Sequence, residues 1–162
     1  RETEWVEFKE AATSFDFHKL GKYFSALSNE SNLKRQPCGW LVFGVTNRKA
    51  IVGSSFRPQR AHLDSLKGEI GGHTTGNLTF IEIHELKLPE GRVVMFQIPP
   101  APRGQPIAWK GHFYGRYGDE TGALSLQKLE LIRKQTGDWS SEICPAVSMD
   151  DLDPAAIKKA RL

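Results

Sequence analysis

Cysteine is scarce in this chain. Cys38 and Cys144 are the only two in 162 residues, and neither belongs to a Cys-x-x-Cys pair. That excludes a disulfide framework and makes a reduced, cytoplasmic setting the expectation. Long apolar runs are missing as well. The longest, Trp40-Leu41-Val42-Phe43-Gly44-Val45, has the length of a buried strand and falls far short of the roughly 18 residues a membrane span needs. No secretory leader is visible, because Arg1-Glu2-Thr3-Glu4 is charged and runs straight into a strand-like pattern. The first residue is Arg rather than Met, so the chain is expected to be a segment of a longer protein. The five histidines are scattered, with no His-Glu-x-x-His and no paired-ligand spacing, so neither a metal site nor a cofactor is expected. The glycine cluster Gly68 to Gly76 lacks the Gly-Lys-Ser/Thr ending of a phosphate loop and reads as a helix stop followed by a loop. Gly53-Ser54-Ser55 has no nucleophile-elbow flanks.

What remains is enough for a folded domain. Hydrophobic residues make up 39% and charged residues 25%, sufficient to build a core and to exclude wholesale disorder. Net charge is +3, but residues 1–135 carry 19 bases against 14 acids, and the acidic remainder lowers the total. This mild positive excess permits a polyanionic partner without requiring one.

The order of elements follows from periodicity. Val6 and Phe8 alternate with Glu7 and Lys9 as in a half-buried strand. Asp16 is placed as an N-cap for a helix over 17–29, with Leu20, Phe24 and Leu27 on its apolar face. The polar stretch Glu30 to Pro37 reads as a loop. Trp40 to Thr46 is a central strand, with Ala50 to Gly53 returning as its hairpin partner. A helix over 58–70 carries Leu63, Leu66 and Ile70. Strands over 78–86 and 92–99 are joined through Pro89-Glu90-Gly91, and a short pair over 106–109 and 112–117 turns at Lys110-Gly111. Ser125 caps a last helix to Arg133, with Leu126, Leu129 and Ile132 inward. Residues 136–162 change character: acidic, with Pro145 and Pro154, and a helical start at Asp153-Pro154, they read as a linker into a following region.

Two groups of residues carry possible chemistry. Glu2, Glu4, Glu7 and Glu10 could hold a hard divalent cation, yet Glu2 and Glu7 fall on opposite faces of a straight strand. Solvated charge on an edge strand is the plainer reading. The segment Arg103 to Arg116 mixes cations with Trp109, Phe113 and Tyr114, where cations can pair with phosphates and rings can stack on bases. Ordinary core aromatics with solvated cations is the competing account.

In order, Glu2-Thr3-Glu4-Trp5-Val6-Glu7-Phe8-Lys9-Glu10, the helix ending Ser25-Ala26-Leu27-Ser28-Asn29, Gly39-Trp40-Leu41-Val42-Phe43-Gly44-Val45, Ile51-Val52-Gly53, Val93 to Pro99, Gln105-Pro106 and Phe113-Tyr114-Gly115-Arg116-Tyr117-Gly118 resemble the Schlafen AlbA-type domain over about residues 1–135. The resemblance implies the N-terminal domain of a bacterial transcriptional regulator. In animal Schlafen proteins related domains are metal-dependent endoribonucleases that use two glutamates and an aspartate. By position the glutamates are Glu2 and Glu7, while Thr46, followed by Asn47, stands where the aspartate would be. A two-carboxylate site holds a metal weakly, which argues against the nuclease. The stretch Glu30 to Cys38 is a second departure, an insertion relative to many relatives.

The expectations are therefore an α/β or α+β fold in one domain, with a mixed, largely antiparallel sheet and packed helices. The function expected is nucleic-acid binding, to DNA rather than RNA, through Lys9, Arg57, Arg60, Arg103, Lys110 and above all Arg116, which matches the family's aromatic-x-Arg strand. Enzymatic activity is not expected of this segment; no membrane partner is expected, and a homo-oligomer remains open. The rivals are a metal-dependent ribonuclease using Glu2 and Glu7 and a protein-interaction or dimerisation module.

Overall fold

Alternation along β1 (Val6–Lys9) and β2 (Gly39–Phe43) decides which side of the first sheet is buried. In the computed structural model, which describes residues 3–136, β1 lies parallel to β2, with Val6 opposite Trp40 and Phe8 opposite Val42. β2 in turn pairs antiparallel with β4 (Gly91–Ile98), and β4 with β3 (Glu82–Leu88), giving the order β1-β2-β4-β3. Leu41, Phe43, Val94, Phe96, Ile98 and Ile83 point inward, while Trp40, Val42, Val93 and Met95 form a thinner cluster on the other face with Phe8. Glycine is required where this sheet turns back: a Cβ on Gly44 (φ +89°) would sit 2.6 Å from the Arg92 carbonyl oxygen.

Helix α1 (Phe17–Leu33) covers the inner face. Asp16 caps it as expected, its carboxylate accepting from the Lys19 N–H at 2.6 Å. Leu20, Phe24 and Leu27, spaced four and three apart, meet the sheet, and α2 (Arg60–Gly71) adds Leu63, Leu66 and Ile70 to the same core. Each such side chain contributes about 1.5–3 kcal/mol by leaving water. The opposite flank of α1 meets a second, antiparallel sheet of β5 (Ala108–Trp109), β6 (His112–Tyr117) and β7 (Glu120–Ala123). Helix α3 (Leu126–Arg133) closes that side, capped by Ser125. The architecture is α+β, with α1 held between two sheets.

Four local expectations need correction. Glu30 to Leu33 are the last turn of α1 and not loop, because Glu30 and Ser31 are buried and Asn32 bonds the Ala101 carbonyl. Residues 50–53 form no hairpin strand; a single bridge joins Val45 to Ile51, and β2 finds its partners in β1 and β4 instead. The strand expected from Leu78 begins at Glu82, and β7 was not anticipated. Leu126 is 72% exposed; only Leu129 and Ile132 turn inward. Cys144 and the linker and helical start within 137–162 lie outside the described residues, as does Glu2.

Candidate nucleic-acid interface

The first turns of α1 and the β5–β6 turn share one side of the molecule. Trp109 is fully buried at the end of β5, and its indole N–H donates to Nδ1 of His18 at 2.8 Å. Its ring meets Phe17 and His73 edge-on. Lys110 follows in the left-handed region (φ +48°), which turns its ammonium over both Trp109 (5.5 Å) and Phe17 (6.0 Å). Lys19 lies over Phe15 at 5.8 Å and Lys22 over Tyr114 at 5.5 Å. None of these three lysines has an acidic partner within ion-pair distance among the described residues. Lys19 and Lys22 line a cleft of about 540 Å³ between α1 and the β6–β7 turn, with His18, Tyr23, Asp16, Asp119, Glu120 and Thr121.

The residues singled out from sequence do not converge on one surface. Arg116 is inside the protein, 0% exposed, its Nη2 2.5 Å from Oε2 of Glu7. A guanidinium with no exposed surface does not reach a phosphate, so Arg116 is no part of the interface in this conformation. Lys9 pairs with the other oxygen of Glu7 at 2.5 Å and lies 5.4 Å from the Tyr23 ring centre. Burial alone would lower the Lys9 pKa, but the hydrogen bond and charge of Glu7, with Tyr23, outweigh it and raise it above the ordinary 10.5. Arg57 forms a two-pronged pair with Glu69 (2.8 and 2.7 Å), a contact that raises the Arg57 pKa and lowers that of Glu69. Arg60 is shared between Asp64, Glu82 and the Ile83 carbonyl. Arg103 is exposed beside Arg35 in a separate groove near the end of α1. Of the six cations, Lys110 alone falls on the face with Lys19 and Lys22, which sequence reading missed; their signal was an i, i+3 lysine pair on the outer side of α1.

Of the alternative carboxylate site, Glu7 lies within the described residues and Glu2 outside them. Both oxygens of Glu7 face cations, and Thr46 is engaged in its own turn, its hydroxyl accepting from the Ala50 N–H. Glu10, Thr46 and Asn47 border a shallow cleft that Glu7 does not line.

Comparison with known proteins places this geometry in context. A family model described as Schlafen, AlbA_2 matches residues 2–125. A similar solved structure is that of the DIP2311 protein from Corynebacterium diphtheriae, at 19% identity and a TM-score of 0.58; the match covers 98% of this chain and 29% of that one. The likeness is one of fold, and the chain spans under a third of that protein's length. Among curated proteins nothing matches the chain.

Proposed function

The chain belongs to the Schlafen, AlbA_2 family, and from that premise we propose that it binds nucleic acid, DNA in the first place, through the face formed by Lys19, Lys22 and Lys110, as the N-terminal part of a longer bacterial transcriptional regulator. The observation that carries the reading is the contrast between two sides of the surface. Around α2 and the β3–β4 hairpin, Arg57, Arg60, Lys67 and Arg92 are matched by Glu69, Asp64, Glu82 and Glu85, which leaves Lys87, among the described residues, as the one unpaired cation of that hairpin. On the α1 and β5–β6 side the three lysines stand on aromatic rings with no acid within ion-pair distance among the described residues. Cations already paired gain little from a phosphate, because the existing pair must first be broken; unpaired ones gain the full contact and release condensed counterions.

Fluorescence anisotropy with a labelled DNA duplex tests this. Lys19→Ala, Lys22→Ala and Lys110→Ala should each weaken binding to all duplexes alike, whereas Arg60→Ala should leave it unchanged. Equal losses from Arg60→Ala and the lysine variants would contradict the assignment of the face. A nuclease reading has less support, because Glu7 is neutralised from both sides and Thr46 offers no carboxylate.

A further inference from the structure

The cleft between α1 and the β6–β7 turn offers more than the phosphate contacts of Lys19 and Lys22. One wall carries Lys19 and Lys22, and the cleft also takes in Asp119 and Glu120 from the β6–β7 turn, which would repel a second phosphate. Asp16 lines it too, but its carboxylate is already engaged by the backbone N–H of Lys19. His18 is held in one tautomer: the indole N–H of Trp109 can only donate, so Nδ1 of His18 accepts and the neutral ring keeps its proton on Nε2, making it a further donor at the rim. Thr121 adds a buried hydroxyl that has no hydrogen-bond partner within the protein. The occupant must therefore be amphoteric in hydrogen bonding, with an anion for the lysines and N–H donors for the carboxylates. The volume of about 540 Å³ is within the usual range for small-ligand sites.

We propose that this cleft takes one unpaired nucleotide, its phosphate on Lys19 and Lys22 and the donor edge of its base on Asp119 and Glu120. The assignment rests on the nucleic-acid reading above, since Lys19 and Lys22 belong to both, and it narrows the target to nucleic acid with a single-stranded or extruded nucleotide. A carboxylate meets the adjacent N1–H and N2 amino group of guanine with two hydrogen bonds. Uracil offers one N–H flanked by two carbonyl oxygens, which the same carboxylate repels. The site should prefer guanine to uracil by about tenfold, the order expected for one well-formed two-bond contact.

Chemical-shift titration of the protein with 5′-GMP, 5′-UMP and inorganic phosphate is the first arm. GMP should shift the amides of residues 18–23 and 119–121, with UMP and phosphate each weaker by about tenfold. The double variant Asp119→Asn, Glu120→Gln should erase the GMP preference, and Lys22→Ala should weaken all three ligands. The second arm separates a strand from a free nucleotide, using labelled single-stranded oligonucleotides with and without one guanine; preference for the guanine strand places the subsite on a polymer. Equal affinity for GMP, UMP and phosphate, or equal competition by a zwitterionic dipeptide, would overturn the proposal. Duplex binding that persists in that case leaves the broader reading standing. Failure of duplex, strand and nucleotide alike overturns both.

Discussion

The side chains of Arg116 on β6 and Glu7 on β1 meet inside the protein, and at neither position does the local sequence announce a core residue. The pair lies within a wider polar seam. Glu30 accepts from the Arg116 backbone N–H at 2.9 Å and from Lys128 Nζ at 2.5 Å, and Lys128 also donates to the Arg116 carbonyl. Removing one partner of a buried ion pair strands the other charge, at a cost of about 3–5 kcal/mol. Because Glu7 keeps Lys9, Arg116→Ala is expected to lower stability by less than that in urea denaturation while leaving the DNA affinity of the folded fraction intact. Lost affinity at unchanged stability would return Arg116 to the binding surface. The pH response of two pairs has opposite sign. Lys9 is raised by Glu7, so its contribution is complete below 10.5 and fades as pH climbs through the elevated value. Glu69 is lowered by its bond to Arg57, so its contribution holds above 4.5 and fades as pH falls through the depressed value. Glu69→Gln should accordingly cost a little stability at neutral pH and nothing in acid, as thermal unfolding across pH would report. The aromatic-x-Arg pattern made Arg116 legible as special but not as buried, because its partner Glu7 sits near the opposite end of the chain and only tertiary packing joins them.

Helix α1 shows at the element scale where periodicity reads well and where it fails. The apolar spacing of Leu20, Phe24 and Leu27 and the Asp16 cap located its start and its inner face. Its last turn, Glu30 to Leu33, was missed because no apolar period runs into it; Ser25, Ser28, Asn29 and Asn32 look like a solvated flank. They form a second buried face that binds backbone groups of the 99–114 segment: Ser25 donates to the Ile107 carbonyl and Ser28 to that of Pro99. Asn29 donates to Ile107 and Tyr114 carbonyls at 2.9 Å each and accepts from the Ile107 N–H at 2.8 Å. Asn29→Ala leaves these groups buried and unpaired, each at about 1–3 kcal/mol, and is expected to be among the most destabilising substitutions on the helix. Asn29→Asp, which sets a buried carboxylate against the Ile107 and Tyr114 carbonyl oxygens, should recover none of the loss. Gly21 offers a sharper contrast between propensity and packing. Helix propensity favours alanine there by about 1 kcal/mol, yet a Cβ would fall 2.0 Å from the buried ring of Trp109. Overpacking of this kind costs about 1–3 kcal/mol, so Gly21→Ala should lower the melting temperature, where a freely exposed helical glycine would raise it.

Over the whole molecule, the fold class and most elements followed from the order of apolar patterns. The distribution of charge did not. The excess of positive charge over residues 1–135 was evident from counting, but which cations are free depends on contacts such as Arg57 with Glu69, which join a loop to a helix turned back against it. Three of the free ones, Lys19, Lys22 and Lys110, stand on aromatic rings beside α1, and the account stands on their acting together. The salt dependence of duplex binding tests that most directly, because each phosphate neutralised contributes about 0.9 to the slope of log affinity against log salt. Three lysines acting together predict a slope of roughly −2.7 for the wild-type chain, falling to about −1.8 in Lys110→Ala and to near zero in the triple Lys19, Lys22, Lys110→Ala variant. A triple variant whose slope and affinity match the wild type would contradict the account.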